Sequence, residues 1–184
     1  MDYCLEYEYL NDENHIFKSI DYDYLHSLIN GFDTGIVIIG GPWCPNCQAI
    51  MKELNDVCKK NGLDVVYNYD PKFINIFNEE EDLRDCKSLE IKLKYYEIVE
   101  RLKFKSNELV TDTLIPRIHV PFIFGLRNGS CVGYYSPRYI KDENGIHLEG
   151  EKNDETIDFV CEITSLINKI SDNDKKFIFR LVEA

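Results

Sequence analysis

The sequence predicts an α/β fold, with a central mixed sheet of about four to five strands flanked by helices and an extra helical insertion. The first observation is a βαβ unit: a β-branched run at Ile36 to Ile39, a helical pattern ending at Asn61, and a second strand at Leu63 to Tyr69. Such a unit implies neighbouring parallel strands. The second observation is Asn128-Gly129 between two apolar runs, which is typical of an antiparallel hairpin. A sheet that contains both is mixed.

The chain before the βαβ unit contains one clear helix. Residues 1–18 are aromatic and acidic without a period, so we expect irregular structure or a short extra strand there. Ser19 or Asp21 can cap the helix that follows, and Gly31 can end it. Its apolar face consists of Leu25, Leu28 and Ile29.

The segment between Tyr69 and Val120 is too long for a bare loop in a compact domain. Asn78 followed by four acidic residues is typical of a capped helix start. Apolar residues then recur at steps of three and four, at Leu83, Cys86, Leu89 or Glu90, Leu93, Tyr96 and Leu102. The pattern predicts one long helix or two shorter ones over about residues 79–104, within an insertion at about 76–115.

The last part of the chain predicts a second hairpin and a final helix. The hairpin, at about residues 138–150, would turn at Asn144-Gly145. The helix would be capped near Asp154. Its apolar face would contain Ile157, Val160, Ile163, Leu166, Ile167 and Ile170. Because no repeat or linker interrupts the sequence, we expect residues 1–184 to form a single domain.

Composition argues against several classes of partner. The chain has 33 acidic and 21 basic residues, a formal charge of −12, so nucleic acid and anionic membrane surfaces are not expected partners. No stretch approaches the roughly 18 to 20 apolar residues of a membrane span, and the start of the chain is acidic, unlike a secretory signal. Seven cysteines without regular spacing differ from the even sets of secreted frameworks. We therefore expect a cytoplasmic protein with mostly reduced thiols.

Two of those cysteines form the motif Cys44-Pro45-Asn46-Cys47, between the first strand of the βαβ unit and its helix. A sulfur at a helix start faces unpaired N–H groups and the positive end of the dipole, which lowers the pKa of Cys44 and makes it the nucleophile. Cys47 lies one turn deeper on the same face, within reach of a disulfide, and can resolve a mixed disulfide formed by Cys44. The redox-active disulfide itself would be the only cofactor.

The pair also has two less favoured interpretations, a metal site and an inert pair of cysteines. A zinc or iron–sulfur site would need further paired ligands, and a second C-x-x-C does not occur in the sequence, so no metal is expected. The cysteines could also be inert. Cys131 and Cys161 fall in apolar runs and are expected to be buried and structural.

The stretches "IVIIGGPWCPNC" and "HVPFIFGLRNGSCVGYY", together with the βαβ unit, resemble the thioredoxin family. The resemblance covers roughly Ser19 to Tyr135 plus the final helix, and it implies a thioredoxin-like fold. It implies that Val120-Pro121 is a cis-proline pair packed against Cys44 and Cys47, with Trp43 at the rim and the Val120 backbone binding an extended substrate. From the sequence alone, Pro121 could equally be an edge-strand proline and Trp43 an ordinary half-buried aromatic.

The sequence departs from that family at the position six residues before the first cysteine. Thioredoxins have a buried aspartate there, whereas this chain has Ile38. The strand Leu63 to Tyr69 contains no lysine, and Lys52 stands where a helix-kinking proline is usual. His119, two residues before Pro121, is a further candidate for the site.

These features predict a thiol–disulfide oxidoreductase that exchanges a Cys44–Cys47 dithiol or disulfide with protein or small-molecule thiols and disulfides. A recycling reductase or oxidant would be its other partner. The alternative is a thioredoxin-like binding or adaptor module with little redox turnover, in which the insertion or the second hairpin supplies a partner surface.

Overall fold

The computed structural model describes residues 1–71, 88–110, 113–137, 139–142, 145–148 and 159–171. The strands of the main sheet are β1 (Phe17–Ile20), β2 (Gly35–Ile39), β3 (Val66–Tyr69), β4 (Phe122–Arg127) and β5 (Ser130–Tyr135). The helices are α1 (Tyr3–Glu6), α2 (Tyr22–Asn30), α3 (Pro45–Lys60), α4 (Leu89–Leu102) and α5 (residues 159–171). The predicted α/β class is confirmed, and the architecture is compatible with a thioredoxin-like fold without being specific to it.

The main sheet has five strands in the order β1-β3-β2-β4-β5 and is mixed, as predicted. β3 is parallel to both β1 and β2, whereas β4 is antiparallel to β2 and β5. The βαβ unit and the hairpin expected from the sequence are therefore both present. In this register Ile38 lies between Asn68 of β3 and Ile123 of β4.

The central strand β2 is buried on both faces because its alternate side chains enter two separate cores. Ile36 and Ile38 pack with residues of α3 and α5. Val37 and Ile39 pack on the other side with residues of α2 and α4. The cysteine motif follows the end of β2, so it lies where the sheet meets α3.

The beginning of the chain is more regular than expected. The four-residue helix α1 was not predicted, whereas β1 is the short extra strand that was one of the two possibilities. Ser19 lies inside β1, and Asp21 is the cap of α2: its side chain accepts a hydrogen bond from the Tyr24 N–H at 2.8 Å. Gly31 ends α2, as predicted.

The predicted apolar stripe on α4 is wrong for three of its members. Leu89, Leu93 and Tyr96 are exposed. The buried face consists instead of Tyr95, Ile98, Val99 and Leu102. The Tyr95 hydroxyl donates to the Pro116 carbonyl at 2.8 Å and accepts from the Ile118 N–H at 2.7 Å, which fixes this face toward the chain that leads into β4. The part of the prediction that concerns residues 79–87 lies outside the described residues.

The second hairpin is present as strands β6 (Tyr139–Asp142) and β7 (Gly145–Leu148), which pair antiparallel in a separate two-stranded sheet. In α5 the predicted side chains at Ile163, Leu166, Ile167 and Ile170 are buried. The cap near Asp154 and Ile157 lie outside the described residues. In the described part of the chain, no helix has the length and apolar character needed to cross a membrane.

Candidate active site

Cys44 is the N-cap residue of α3, and Pro45 is the first residue of the helix. The Cys44 backbone is extended (φ −94°, ψ 117°), and its N–H donates to the Gly41 carbonyl at 3.1 Å. Its carbonyl accepts the Gln48 N–H at 3.0 Å as the helix begins. Proline fits at the first helical position because its missing N–H would have no partner within the helix. The structure therefore has Cys44 at the helix start, where the sequence predicted it.

The two cysteines lie 3.3 Å apart, and neither forms a disulfide. Cys44 is 6% exposed and Cys47 is completely buried. Cys44 is therefore the more exposed of the two, although both side chains lie largely inside the protein.

The second predicted motif lies against the first. The Val120–Pro121 peptide bond is cis, and the Cys44 thiol points toward the Val120 carbonyl at 3.7 Å. Ser136 holds this turn in place, because its hydroxyl lies within hydrogen-bond distance, 3.1 Å, of the carbonyl oxygens of both His119 and Pro121. Cys44, Val120 and Pro121, which are remote in sequence, are thus brought together.

Trp43 is held in place by Asp70, the residue directly after β3. The indole Nε1–H donates to Asp70 Oδ1 at 2.8 Å. This pair lies over Gly41: a Cβ on Gly41 would collide with the Trp43 nitrogen and lie 2.5 Å from Asp70 Cγ. Trp43 is half-buried and contacts both cores, so its ring is fixed beside the cysteines. Sequence reasoning missed Asp70, although an acidic residue directly after a strand is the signal that pointed to it.

Gly40 provides the space that the buried sulfur occupies. Its φ is +156°, and a Cβ there would lie 2.5 Å from Cys47 Sγ and 3.8 Å from Pro121 Cα. Heavy atoms that are not bonded to each other do not approach a carbon this closely. Any side chain at this position would therefore displace Cys47. The first glycine of the Gly40-Gly41 pair therefore makes room for Cys47, and the second for the bond between Trp43 and Asp70.

The position expected for a buried acid is occupied by Ile38, which is fully buried. Opposite it in β3 lies Asn68, a buried side chain that was missed at the sequence level. Asn68 Nδ2 donates to the Gly40 carbonyl at 2.8 Å, and its Oδ1 accepts from the Tyr3 hydroxyl at 3.1 Å. A neutral, hydrogen-bonded amide thus supports the backbone behind Cys47. The signal for it was a polar residue in an otherwise apolar and aromatic strand.

The electrostatics of the pair are asymmetric. Burial raises the pKa of the Cys47 thiol well above its usual value, and the neighbouring Cys44 and Asp70 act in the same direction. The Gly41 N–H opposes this by interacting favourably with the thiolate. Cys47 is therefore a protonated thiol at neutral pH.

The N-terminal segment covers the same side of α3. Gln48 Nε2 donates to the carbonyls of Glu6 and Pro42, both at 2.8 Å, and Gln48 Oε1 accepts the Glu8 N–H at 2.9 Å. One side chain of the helix thereby joins the end of α1 and the residues after it to the loop that leads to Cys44.

The other candidates do not join the site. His119 Nε2 lies 2.5 Å from Glu108 Oε2, and both side chains are partly exposed. Cys58 is buried, which raises its pKa to about 12. Cys131 is half-buried, and the expectation that Cys161 is buried is wrong, because it lies on the exposed face of α5. Among the described residues, no group of three or more histidine, cysteine or acidic side chains could hold a metal ion.

No model of a known protein family matches this chain, and no curated protein sequence matches it either. Function must therefore be inferred from the geometry of the site.

Proposed function

We propose that this chain is a thioredoxin-like thiol–disulfide oxidoreductase in which Cys44 is the nucleophile and Cys47 the resolving thiol. The observation that supports this best is the arrangement of the two sulfurs. Cys44 and Cys47 approach each other to 3.3 Å at the N-terminus of α3, and the Cys44 thiol points toward the Val120 carbonyl. Cys44 is slightly exposed, whereas Cys47 is completely buried.

In the first step, the Cys44 thiolate attacks one sulfur of a substrate disulfide. A bond forms between Cys44 and that sulfur, and the other substrate sulfur leaves with the electron pair and takes up a proton. The position of Cys44 supports this role, because a sulfur at the N-cap faces the unpaired N–H groups and the positive end of the helix dipole.

In the second step, Cys47 loses its proton and attacks the Cys44 sulfur. The Cys44–Cys47 disulfide forms, the bond to the substrate breaks, and the released substrate sulfur is protonated. The substrate disulfide is thereby reduced by two electrons and the dithiol is oxidised. A separate reductase would restore the dithiol. If the chain works in the opposite direction, an oxidant would maintain the disulfide.

The surface around Cys44 is suited to an extended thiol or disulfide substrate of a protein or a small molecule. By its resemblance to thioredoxins, Trp43 forms the rim, Pro121 lies against the sulfurs, and the Val120 backbone offers strand-like hydrogen bonds. The rigid Trp43–Asp70 contact supports this role, because it fixes the ring without using its exposed face. A cytoplasmic location, where thiols are kept reduced, would suit this activity.

A redox titration tests the proposal directly. The chain is equilibrated across a gradient of reduced and oxidised glutathione, remaining thiols are trapped by alkylation, and the labelled cysteines are identified by mass spectrometry. We expect Cys44 and Cys47 to lose and regain their label together. Cys58, buried on the same helix, is an internal control that should keep its state. Absence of a reversible Cys44–Cys47 disulfide would refute the proposal.

The assigned roles predict different results for the two single variants. Cys44→Ser should abolish exchange, whereas Cys47→Ser should accumulate a mixed disulfide between Cys44 and substrate, visible as a mass increase that reductant removes. The opposite order would overturn the assignment of nucleophile and resolving thiol.

A binding module with negligible turnover is the second candidate. The observation that favours it is the environment of Cys47, whose pKa is raised well above its usual value and which has Ile38 where thioredoxins have an acid. Such a module should retain a partner from cell extract when both Cys44 and Cys47 are replaced by Ser. Reduction of insulin at a rate comparable to that of a thioredoxin would exclude it.

A further inference from the structure

Tyr7 is fully buried, yet its hydroxyl has no hydrogen-bond partner. In the part of the chain that the structure describes, it is the single buried side-chain oxygen or nitrogen in that situation. Buried polar groups are nearly always paired, because a group that has lost water without gaining a partner destabilises the fold. The position of this hydroxyl therefore needs an explanation.

Tyr7 belongs to the same buried cluster as Cys47. Its ring stacks on Tyr3, with centroids 5.7 Å apart and planes 10° from parallel. The Tyr3 hydroxyl binds Asn68, Asn68 binds the Gly40 carbonyl, and Gly40 lies against the Cys47 sulfur. The two tyrosines thus bring the N-terminal segment to the buried side of the cysteine pair.

Tyr7 lies between Glu6 and Glu8, whose backbone groups both bind the side chain of Gln48, the residue after Cys47. Cys47 also acts electrostatically on the Tyr7 hydroxyl. The other groups that act on Tyr7 are Tyr3, Glu6 and Asp70, and those that act on Cys47 include Cys44 and Asp70. Each of these is neutral or negative, so none of these side chains stabilises a thiolate by its charge. Burial and these neighbours raise the pKa of Tyr7 far above its usual value, so the phenol keeps its proton and remains a donor.

We propose that Tyr7 is a positioning residue whose hydroxyl donates a hydrogen bond to the Cys47 sulfur as that sulfur becomes a thiolate in the resolving step. This inference rests on the function proposed above. In that step the Cys47–Cys44 bond forms, the bond from Cys44 to the substrate sulfur breaks, and the proton lost by Cys47 balances the one taken up by the released substrate. The Tyr7 proton is not transferred.

The role differs from that of a buried carboxylate, which can accept the thiol proton. A phenol donor stabilises the thiolate that is already formed. It leaves the attack by Cys44 untouched, since Cys44 lies at the helix N-terminus and is not among the groups that act on Tyr7. Loss of the Tyr7 hydroxyl should therefore slow the second step of exchange and not the first.

A chromogenic aromatic disulfide separates the two steps. Attack by Cys44 releases a first equivalent of coloured thiolate, and resolution by Cys47 releases a second. Stopped-flow traces of the Cys44→Ser/Cys47→Ser chain are subtracted to remove the contribution of other cysteines. In Tyr7→Phe we expect an unchanged first phase and a second phase slowed about tenfold, the usual effect of a hydrogen bond to a charged acceptor. The pH dependence of the second phase should move to higher pH.

Tyr9→Phe is the matched control, because Tyr9 lies in the same segment with its ring exposed. Its two phases should equal those of the unaltered chain. Because the resting Tyr7 hydroxyl has no partner, Tyr7→Phe should melt at the same or a higher temperature. A lower melting temperature would show that the hydroxyl is already bound and would overturn the proposal.

Two other outcomes also refute it, and they are distinguishable. If the unaltered chain releases two equivalents and Tyr7→Phe does so at the same rates, the role of Tyr7 is wrong and the oxidoreductase proposal stands. If the unaltered chain releases no second equivalent, the proposed function fails, and the role of Tyr7 fails with it.

Discussion

Replacing Gly40 by alanine tests whether the space beside Cys47 is as tight as the structure indicates. The added Cβ would lie 2.5 Å from Cys47 Sγ, against a fixed backbone with a φ of +156°. Overpacking of a tight core destabilises proteins by about 1–3 kcal/mol, and a strained φ adds about 1–3 kcal/mol. We therefore expect Gly40→Ala to lower the free energy of unfolding by about 2–6 kcal/mol.

Gly62→Ala is the matched control for this experiment. Gly62 also has a positive φ, +80°, but no atom lies within 4 Å of the added Cβ. Only the strain of the positive φ applies at Gly62, so we expect the free energy of unfolding to fall by about 1–2 kcal/mol. In a chain of this size 1 kcal/mol shifts the melting temperature by about 2–4 °C, so thermal unfolding monitored by circular dichroism can separate the two variants.

The comparison also has a chemical readout. Because the Cβ of Gly40→Ala must displace the buried sulfur, release of the second equivalent of coloured thiolate should slow in this variant and stay unchanged in Gly62→Ala. Equal losses of stability in the two variants would refute the steric argument. Unchanged kinetics in a destabilised Gly40→Ala would show that the core yields somewhere other than at Cys47.

Three further changes test other contacts. Asn68→Ala removes the acceptor of the buried Tyr3 hydroxyl and a donor to the Gly40 carbonyl, so urea unfolding should show a loss of about 2–4 kcal/mol. Asp70→Asn keeps an acceptor for Trp43 and removes a charge that raises the pKa of Cys47, so resolution at neutral pH should become a few-fold faster in stopped-flow traces. Hydrogen bonds from Lys59 and Asn55 lower the pKa of Asp12 to about 2, so its contribution to stability is complete above about pH 4 and lost as pH falls toward 2. The difference in stability between the unaltered chain and Asp12→Asn should shrink over that interval.

The parts of the fold that follow from local patterns were predictable. The β-branched run of β2, the helical spacing of α3 and the Asn128-Gly129 turn each specify their structure within a few residues. In contrast, α1 has only four residues, too few to be stable alone, and it is held by contacts such as that from Gln48 to the Glu6 carbonyl. Its one local signal is the N-cap Asp2, which does not by itself predict a helix.

The error on α4 has a similar origin. Leu93 and Tyr96 continue a regular apolar spacing, but Tyr95, one position away, is the residue that bonds to Pro116 and Ile118. Periodicity gave two competing faces, and tertiary hydrogen bonds with a remote segment decided between them.

Of the candidate site, the sequence predicted the residues that belong to motifs: Trp43, Cys44 and Cys47 in one segment, and Val120 and Pro121 in the other. Their convergence depended on a resemblance; in the structure the Cys44 thiol points toward the Val120 carbonyl. The supporting residues were missed because their roles exist only after folding. For Asn68 and Asp70 the local signal was only a polar residue within or directly after a strand, which does not name a partner, and Tyr7 lies in a segment without a period.

The contacts of the first residues can form only late in synthesis, because their partners lie far along the chain. Tyr3 binds Asn68, Glu8 binds Gln48 and Asp12 binds Lys59, so every partner emerges from the ribosome some forty to sixty-five residues later. Until these partners have emerged, the N-terminal segment cannot pack against them. The side of the cysteine pair that this segment covers in the folded protein therefore remains exposed. We therefore expect the nascent chain to be more easily oxidised by small disulfides than the finished one, and a bulky tag at its start to prolong that exposure.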